Sequence, residues 1–303
     1  MQRALSLTVI IIVAACCGCS TTMNTISTVG TAVGEATGTI TPQQAESIRR
    51  SAEAAGKSFE EITPEQEYFI GRTVAATILN TYRVYPDEAA NHYLNVIGQA
   101  LAQVSDKPET FSGYHFLIMD TDEVNAFAAP GGFILISRGM LRCCKTEDAL
   151  AAVLAHEIGH VQHQHGLQAI KKGRLTSALT IMAMEGAKSF GGEQLAELTS
   201  AFEESISDIT ATLMNNGYSR GFERQADQAA VTIMRRMGYD PRGLIDMLEQ
   251  METQLKPGGL DFAKTHPSPE SRISDIRRMI GNEPSGAPAP ARQARFDKFI
   301  SGI

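Results

Sequence analysis

Two histidines and a glutamate lie within five residues of this chain, in the segment 156–160, which reads H-E-I-G-H. The segment is part of a run with helical composition, and positions four residues apart share one face of an α-helix. His156 and His160 are therefore predicted to reach the same metal ion, and zinc binds neutral imidazole nitrogens well. Glu157 lies beside the first ligand, where a carboxylate takes a proton from a water activated by the metal. This layout predicts the catalytic site of a zinc peptidase.

The apolar residues before the motif favour a metal site over the alternative of a solvated helix end. A five-residue pattern is short enough to arise by chance. However, residues 149–155 are almost wholly apolar, so the helix is predicted to be buried. Buried histidine and glutamate side chains need polar partners, and a metal ion supplies them.

A third ligand is expected from a later helix. The metzincin pattern would place a glycine at position 163 and a histidine at position 166, where this chain has His163 and Gly166. Glu223 and Asp227 are again four residues apart, so their carboxylates face the same way. Glu223 is predicted to be the third ligand, and Asp227 to orient His156 by accepting its other ring N–H. The alternative for this run is an ordinary charged helix surface.

Four segments, taken in their order and spacing, resemble one family of metallopeptidases. They are 125–132 (N-A-F-A-A-P-G-G), 156–160, 223–227 (E-R-Q-A-D) and 266–272 (H-P-S-P-E-S-R). Together they resemble the HtpX-like and CaaX-prenyl-protease-like gluzincins of metallopeptidase family 48, over roughly residues 60–281. The resemblance implies a mainly helical α+β fold, a gluzincin-type metallopeptidase domain with a zinc-binding HExxH helix and a small β-sheet that carries the substrate-binding edge strand. It also implies that the two histidines of HExxH and Glu223 hold one zinc ion per chain, with Glu157 as the base.

Residues 125–128 are predicted to form an exposed edge strand beside the zinc. Such a strand offers backbone N–H and C=O groups to an extended polypeptide. The candidate substrate-binding residues are therefore Asn125, Ala126, Phe127 and Ala128. The simpler interpretation of residues 125–132 is a hairpin with a glycine-rich turn, and this interpretation is compatible with a substrate-binding edge strand. Backbone pairing predicts an endopeptidase with loose sequence preference that acts on unfolded or extended polypeptides.

Two further residues are expected at the rim of the cleft, where the resemblance places their loop. His266 is predicted either to stabilise the oxyanion or to occupy the open position of the zinc and hold the enzyme latent. Arg272 is the second predicted catalytic residue, although a lone arginine is usually solvated. His163 and His165, which follow the zinc helix, are interpreted as a solvated helix end.

The N-terminus has the features of a bacterial lipoprotein signal. Residues 1–15 combine a short positive start with an apolar stretch too short to span a bilayer. Cys16 follows Val-Ala-Ala, as in a lipobox, and is the predicted lipidation site; Cys19 and plain signal cleavage are the alternatives. Residues 16–40 are predicted to be a flexible tether. The protein is thus expected to be lipid-anchored in the bacterial cell envelope, facing the periplasm.

Composition narrows the partners and the organisation of the chain. The net charge of −7, without a basic cluster or a tryptophan, argues against nucleic acid as a partner. No other run reaches transmembrane length, so membrane contact is expected through the lipid only, and prenyl-protein processing is disfavoured. Residues 41–281 are predicted to bury one core as the metallopeptidase domain, and residues 282–303 to be a Pro/Ala-rich linker with a short polar tail. The oligomeric state is left open.

Start signals place the helices and strands around these motifs. Helices are predicted to begin at Thr41-Pro42, Thr63-Pro64, Pro86-Asp87, Thr146, Ser219, Asp240-Pro241 and Ser268-Pro269, and strands to cover 114–119, 125–128 and 133–137. Residues 167–215 have helical composition and few caps, and are interpreted as a helical excursion near the cleft. Cys143 and Cys144 are interpreted as buried residues or free thiols, because a disulfide between neighbours is strained.

The chain is therefore predicted to be a zinc metalloendopeptidase of misfolded or damaged cell-envelope proteins. The alternative is an envelope assembly factor or chaperone, normally latent, which uses the same groove for binding. The zinc ligands do not separate the two, because a latent protease keeps its ligands. Glu157 favours the enzyme, since binding alone needs no base.

Overall fold

Helices dominate the computed structural model, which describes residues 41, 62–168, 206–254, 266, 269–281 and 289–303. Eight α-helices and three β-strands have their full extent within these residues. The helices are α1 (Pro64–Thr81), α2 (Glu88–Gln103), α3 (Arg138–Cys143), α4 (Glu147–Gln162), α5 (Arg220–Met237), α6 (Gly243–Gln254), α7 (Pro269–Ile280) and α8 (Pro290–Ile300). The strands are β1 (His115–Met119), β2 (Ala126–Ala129) and β3 (Phe133–Ser137). The predicted class, mainly helical α+β with one small sheet, is confirmed.

The sheet has the order β1-β3-β2, which leaves β2 at one edge. β1 runs parallel to β3, and β2 runs antiparallel to it, with Ala126 opposite Ile136 and Ala129 opposite Phe133. The turn between β2 and β3 needs glycine, because Gly131 has a φ of 74° and a Cβ atom there would lie 2.9 Å from the Tyr68 Cα. This turn and the strand order match the hairpin predicted from the sequence.

The expectation that the edge strand is exposed is wrong. Ala126, Phe127 and Ala128 are between 1% and 3% exposed, and Asn125, which precedes the strand, is 2% exposed. The strand is short and flanked by helices, and the π-helical residues Thr212–Asn216 pack against it. Burial of an edge by a later segment is a tertiary effect that an alternating or apolar sequence pattern does not reveal.

The core is centred on α4, in which every residue from Glu147 to Val161 is buried. The helix begins as predicted, because the Thr146 side chain caps it by accepting a hydrogen bond from Ala149 N, with acidic residues in the first turn. α5 packs along α4, and α2 and α6 also contact it. The burial predicted from the apolar run before HEIGH is thus confirmed, and the metal-binding motif lies inside the protein.

The C-terminal residues form a packed helix, so the expectation of a short polar tail is wrong. Phe296 and Phe299 of α8 are 1% and 8% exposed and belong to the core. The ring of Phe299 stacks on Tyr93 at 4.5 Å, and Arg295 pairs with the buried carboxylate of Glu147 at the start of α4. The apolar residues share one helix face at spacings of three and four, a pattern too short to outweigh the polar and proline-rich composition around it.

Phe296→Ala is expected to lower the free energy of unfolding by about 3–5 kcal/mol, the usual cost of truncating a buried phenylalanine. Urea unfolding followed by circular dichroism measures the change. Lys298→Ala, at an exposed position of the same helix, is the matched control and should change the value by no more than about 0.5 kcal/mol. Equal unfolding midpoints for the two variants would show that α8 contributes nothing to the core.

Several expectations fall outside the described residues. They concern the signal segment 1–15, lipidation at Cys16, the tether 16–40, the helix from Thr41-Pro42 to Gly56, and most of the excursion 167–215. Within the described residues, no helix combines the length and the apolar character needed to cross a membrane. Cys143 and Cys144 are buried free thiols, as predicted.

Candidate metal centre

The three predicted ligands lie together in the structure. The Nε2 atoms of His156 and His160 are 3.1 Å apart, and the two carboxylate oxygens of Glu223 face one each, with Oε2 3.5 Å from His156 Nε2 and Oε1 3.5 Å from His160 Nε2. All three side chains are at most 2% exposed. Together with His266, they form a group whose candidate ligand atoms all lie within 4.8 Å of one another. These residues therefore offer three or four ligand atoms to a single ion.

Two helices bring these ligands together at close range. α4 carries both histidines one turn apart, and α5 carries Glu223 in its first turn, behind the N-cap Ser219. Gly159 lies where the two helices meet, because a Cβ atom there would be 3.0 Å from both the Cα and the carbonyl oxygen of Ala226. The glycine of HEIGH thus permits the close approach that places Glu223 opposite the histidines.

The chemistry of the site fits a metal cation. Among its described residues, the buried carboxylates of Glu157, Glu223 and Asp227 face the one buried guanidinium of Arg272. A divalent cation neutralises the two negative charges that remain. Burial and Arg272 lower the pKa of His156, but hydrogen bonds with Asp227 and Glu223 outweigh them and raise it to about 9. A site that holds a proton this strongly attracts a metal cation in its place.

Asp227 lies behind His156, where the sequence placed it. Its Oδ1 is 2.9 Å from His156 Nδ1, and Arg272 donates to both of its oxygens at 3.0 and 2.6 Å. Burial raises the pKa of Asp227, but the Arg272 guanidinium and His156 together outweigh it and hold the pKa below its usual range. An ionised carboxylate at this position accepts the Nδ1–H of His156 and leaves Nε2 for the metal.

Arg272 does not lie at the rim of the cleft, so that expectation is wrong. Its side chain is 4% exposed and spans Asp227 and Glu223, with Nη1 3.4 Å from the latter. A buried guanidinium is stable only beside carboxylates, and two of them lie side by side on one face of α5. Arg272 of α7 thus contacts one predicted metal ligand, Glu223, and the residue behind another, Asp227, and these contacts fix α7 against α5.

His266 is buried beside Glu223. Its Nδ1 lies 2.8 Å from both carboxylate oxygens of Glu223, and the side chain is 4% exposed. Burial lowers the pKa of His266, which favours the neutral imidazole that binds metals. Burial raises the pKa of Glu223, but His266 and the other partners outweigh it and hold the pKa well below the usual range. His266 is thus within reach of the ion that the other three residues would hold.

Glu157 faces a small cavity next to the ligands. Its Oε1 atom is buried and has no hydrogen-bond partner among the described residues. Burial is the main reason that the pKa of Glu157 is raised to about 7. The space between its lining residues is about 190 Å³, part of it open to solvent, and the lining is formed by Ala126, Phe127, Ala128, Glu157, Thr212, Leu213, Tyr218 and His266. A buried carboxylate with an open acceptor and a near-neutral pKa is suited to proton transfer.

The interpretation of His165 as part of a solvated helix end is wrong. The residue is fully buried, with Nδ1 2.9 Å from His160 Nδ1 and Nε2 2.8 Å from Gln225 Oε1. α4 ends at Gln162, and Gln164 adopts a left-handed backbone with a φ of 54°. This reversal returns His165 to His160, and nothing in the local sequence predicts it. His163 is half-buried.

Tyr218 is a further site residue that the sequence did not indicate. Its ring stacks on His160 with centroids 4.3 Å apart and planes 18° apart. The residue directly precedes the N-cap of α5, and it lines the cavity next to Glu157. Its hydroxyl is buried and makes no hydrogen bond within the described residues. A tyrosine just before the Ser219 cap resembles any loop residue, so only the fold reveals this position.

A buried HExxH helix opposite a glutamate on a second helix, beside a small sheet, defines the chain as a metallopeptidase. The comparison with known families agrees: the model of Peptidase family M48 matches residues 88–280. The chain therefore belongs to peptidase family M48, a family of metal-dependent proteases, as its four motifs predicted.

Named relatives cover part of the same region. The chain is 29% identical to a beta-barrel assembly-enhancing protease of Yersinia pestis over 223 residues, which is 70% of this chain and 43% of the relative. It is 27% identical to the protein of the same name from Escherichia coli over 219 residues, again 70% and 43%. It is 33% identical to the mitochondrial metalloendopeptidase OMA1 of Schizosaccharomyces pombe over 162 residues, 52% of this chain and 43% of the relative. The chain thus spans less than half the length of each of these relatives.

Proposed function

We propose that this protein is a zinc-dependent endopeptidase that hydrolyses misfolded or damaged cell-envelope proteins. The observation that carries the proposal is the buried Glu157 carboxylate, which lies next to three metal ligands and faces a cavity beside β2. One relative is named for enhancing the assembly of β-barrels, which supports an envelope substrate. Another is named a metalloendopeptidase, which supports cleavage within a chain.

His156, His160 and Glu223 are the residues that would hold one Zn²⁺ per chain. Two imidazoles and one carboxylate are an established ligand set for catalytic zinc. When bound, zinc polarises the scissile carbonyl and lowers the pKa of the attacking water. Asp227 keeps the Nε2 lone pair of His156 directed at the ion, and Arg272 keeps Asp227 ionised and in place.

Glu157 is the proposed general base. Its Oε1 accepts a proton from the attacking water and then passes it to the leaving amine, so one carboxylate serves both halves of the reaction. Burial raises its pKa to about 7, and the positive charge of a bound cation would lower this value. The group is therefore ionised, and able to accept a proton, at neutral pH.

The substrate is proposed to lie extended along β2, with its backbone next to Ala126, Phe127 and Ala128. The gap beside β2 has no room for a water-sized molecule in this structure, whereas typical ligand pockets measure about 300–1,000 Å³. A polypeptide therefore needs room that Thr212 and Leu213 now occupy, and substrate binding would require residues 206–216 to move away from the strand.

The test of the proposed reaction is the pattern of casein fragments released by the zinc-loaded protein, identified by mass spectrometry. An endopeptidase produces internal peptides with staggered ends and few free amino acids. Stepwise release of single N-terminal residues would assign an aminopeptidase instead. Loss of all fragments with a chelator, and their return with Zn²⁺, would link cleavage to the metal.

His266→Ala is expected to raise the basal rate of casein cleavage. His266 Nδ1 is close to both oxygens of Glu223 and belongs to the group that could hold the ion, so its imidazole would compete with water as a ligand. A neutral imidazole is the better ligand, and its binding would exclude the nucleophilic water. A lower kcat with zinc retained would instead assign His266 to the oxyanion. An unchanged rate would reject both roles.

A second candidate function is that of a latent envelope assembly factor or chaperone. The specific observation in its favour is the covered strand: β2 is buried and the cavity beside it is small. The requirement for Glu157 distinguishes the two functions, because a protease needs a general base whereas a binding protein needs only its groove. Suppression of aggregation by a Glu157→Gln variant that lacks cleavage would support the binding role.

A lipid on Cys16 is the proposed route to the membrane, and the protein is proposed to face the periplasm. The support is the signal-like sequence of residues 1–15 and the Val-Ala-Ala that precedes the cysteine. Mass spectrometry of the mature N-terminus is expected to show a diacylglyceryl cysteine at position 16. An unmodified N-terminus would contradict lipid anchoring, and a lipid on Cys19 would show that Cys19 is the lipidation site instead. Unfolded polypeptides are the proposed partners, and the net charge of −7 speaks against nucleic acid.

A further inference from the structure

A chain of polar contacts extends from the buried His160 to the protein surface, on the side away from the metal position. His160 Nδ1 lies 2.9 Å from His165 Nδ1, and His165 Nε2 lies 2.8 Å from Gln225 Oε1. His165 is fully buried and its ring stacks on Phe222 with planes 9° apart. The three polar side chains come from α4, the turn after it, and α5, so the chain of contacts joins the two helices that carry the ligands.

Only one placement of protons satisfies these contacts and metal binding together. A neutral imidazole has one N–H and one lone pair. If His160 offers the Nε2 lone pair to a metal, its proton is on Nδ1 and is donated to His165 Nδ1. His165 then carries its own proton on Nε2 and donates it to the amide oxygen of Gln225. The opposite placement puts a proton on His160 Nε2, which faces His156 Nε2 at 3.1 Å and cannot bind a metal.

We propose that His165 is a positioning residue that holds His160 in its metal-binding tautomer, with Gln225 fixing the tautomer of His165. The inference rests on the proposed metal site and goes beyond it by assigning two residues outside the ligand set. When the amide oxygen of Gln225 accepts the Nε2–H of His165, the Nδ1 lone pair of His165 is left facing His160.

The two zinc-binding histidines are thus oriented by different chemistry. His156 donates to the ionised Asp227, whereas His160 donates to a neutral imidazole. A carboxylate in place of His165 would add a further negative charge to a buried site that already holds Glu157, Glu223 and Asp227. A neutral acceptor orients the ligand without that charge. Outer partners of this kind contribute about 10- to 100-fold to metal affinity.

Substitutions of His165 in the full chain separate hydrogen bonding from packing. His165→Phe keeps a ring in the stack on Phe222 but removes the acceptor. His165→Asn places an amide oxygen, on Cγ, where Nδ1 was. The readouts are the Zn²⁺ dissociation constant from competition with a fluorescent chelator and the thermal melting of the metal-free chain. We expect about 10- to 100-fold weaker Zn²⁺ binding for the phenylalanine variant and recovery of most of the affinity by the asparagine variant.

The position of Gln225 gives an independent test, since its exposed location tolerates substitution without loss of the fold. Gln225→Leu removes the acceptor and should weaken Zn²⁺ binding, while Gln225→Glu keeps it and should not. The control is His163→Phe, a half-buried neighbour that should leave affinity unchanged. In ¹⁵N spectra of the metal-free chain, His160 should carry its proton on Nδ1, and Gln225→Leu should reduce that preference.

Two results would overturn the inference while leaving the metal site intact. One is wild-type Zn²⁺ affinity in both His165→Phe and Gln225→Leu. The other is equal loss in the phenylalanine and asparagine variants of His165 with lowered melting of the metal-free chain, since that pattern is due to packing. The failure of the wild-type chain to bind Zn²⁺ would instead overturn the proposed function, so the two failures are distinguishable.

Discussion

Glu157→Gln is expected to lower kcat for casein cleavage at least about a hundredfold, while the protein keeps its zinc and its fold. The glutamine amide has nearly the shape of the carboxylate, so the buried side chain at position 157 still fits into its place beside the cavity. It does not accept a proton from water at neutral pH, and general-base catalysis contributes roughly 10²–10⁴-fold. Initial rates of fluorescent casein cleavage measure the effect, with zinc content determined on the same sample.

Glu147→Gln is a matched control for this substitution, because Glu147 is also a buried glutamate of α4. Its carboxylate accepts hydrogen bonds from Tyr93 and Tyr239 and pairs with Arg295, far from the cavity residues. Its substitution should lower the melting temperature and leave kcat of the folded protein unchanged. Turnover near the wild-type value in zinc-loaded Glu157→Gln would show that Glu157 is not the base.

His160→Ala is expected to weaken Zn²⁺ binding by roughly a hundredfold to a thousandfold. Four-ligand zinc sites bind Zn²⁺ with a free energy of about 10–16 kcal/mol. The expected range follows if each ligand contributes a quarter of that free energy. The loss also leaves Glu223 and the Nε2 of His156 without their shared cation in a buried site, which adds to the cost. Elemental analysis after dialysis against a weak chelator measures the occupancy.

The control for the histidine substitution is His92→Ala, at an exposed position of α2. This variant should keep one zinc per chain and the activity of the wild type. Full occupancy in His160→Ala would exclude His160 from the ligand set. Full zinc occupancy in a Glu223→Ala variant would exclude Glu223 from the ligand set. It would mean that α4 alone holds the ion, although Glu223 lies close to both histidines.

The sequence was sufficient to predict features that depend on local spacing. His156 and His160 lie one helical turn apart, so their convergence follows from the period of an α-helix. Thr146 caps α4 and Ser219 caps α5 because short polar side chains accept hydrogen bonds from free backbone N–H groups. The burial of α4 follows from its apolar residues before the motif. These local rules placed the helices that carry the ligands.

Features that depend on distant contacts could not be predicted in this way. His165 reaches His160 because Gln164 takes a left-handed backbone conformation, and a glutamine at that position gives no sign of such a turn. β2 is buried because residues more than eighty positions later pack against it. Arg272 is buried because two carboxylates of α5 surround it. Each of these depends on how separate elements meet, which neither periodicity nor capping specifies.

The activity of the metal-stripped chain as Zn²⁺ is added back tests the zinc-peptidase assignment most directly. We expect no casein cleavage without metal, a linear increase as Zn²⁺ is added, and a plateau at one equivalent per chain, as required by a single site formed by His156, His160 and Glu223. The titration should be run in parallel on the His266→Ala variant, which lacks the imidazole that would compete with water. Cleavage at an undiminished rate by the stripped chain, or no cleavage by either zinc-loaded protein, would contradict the assignment.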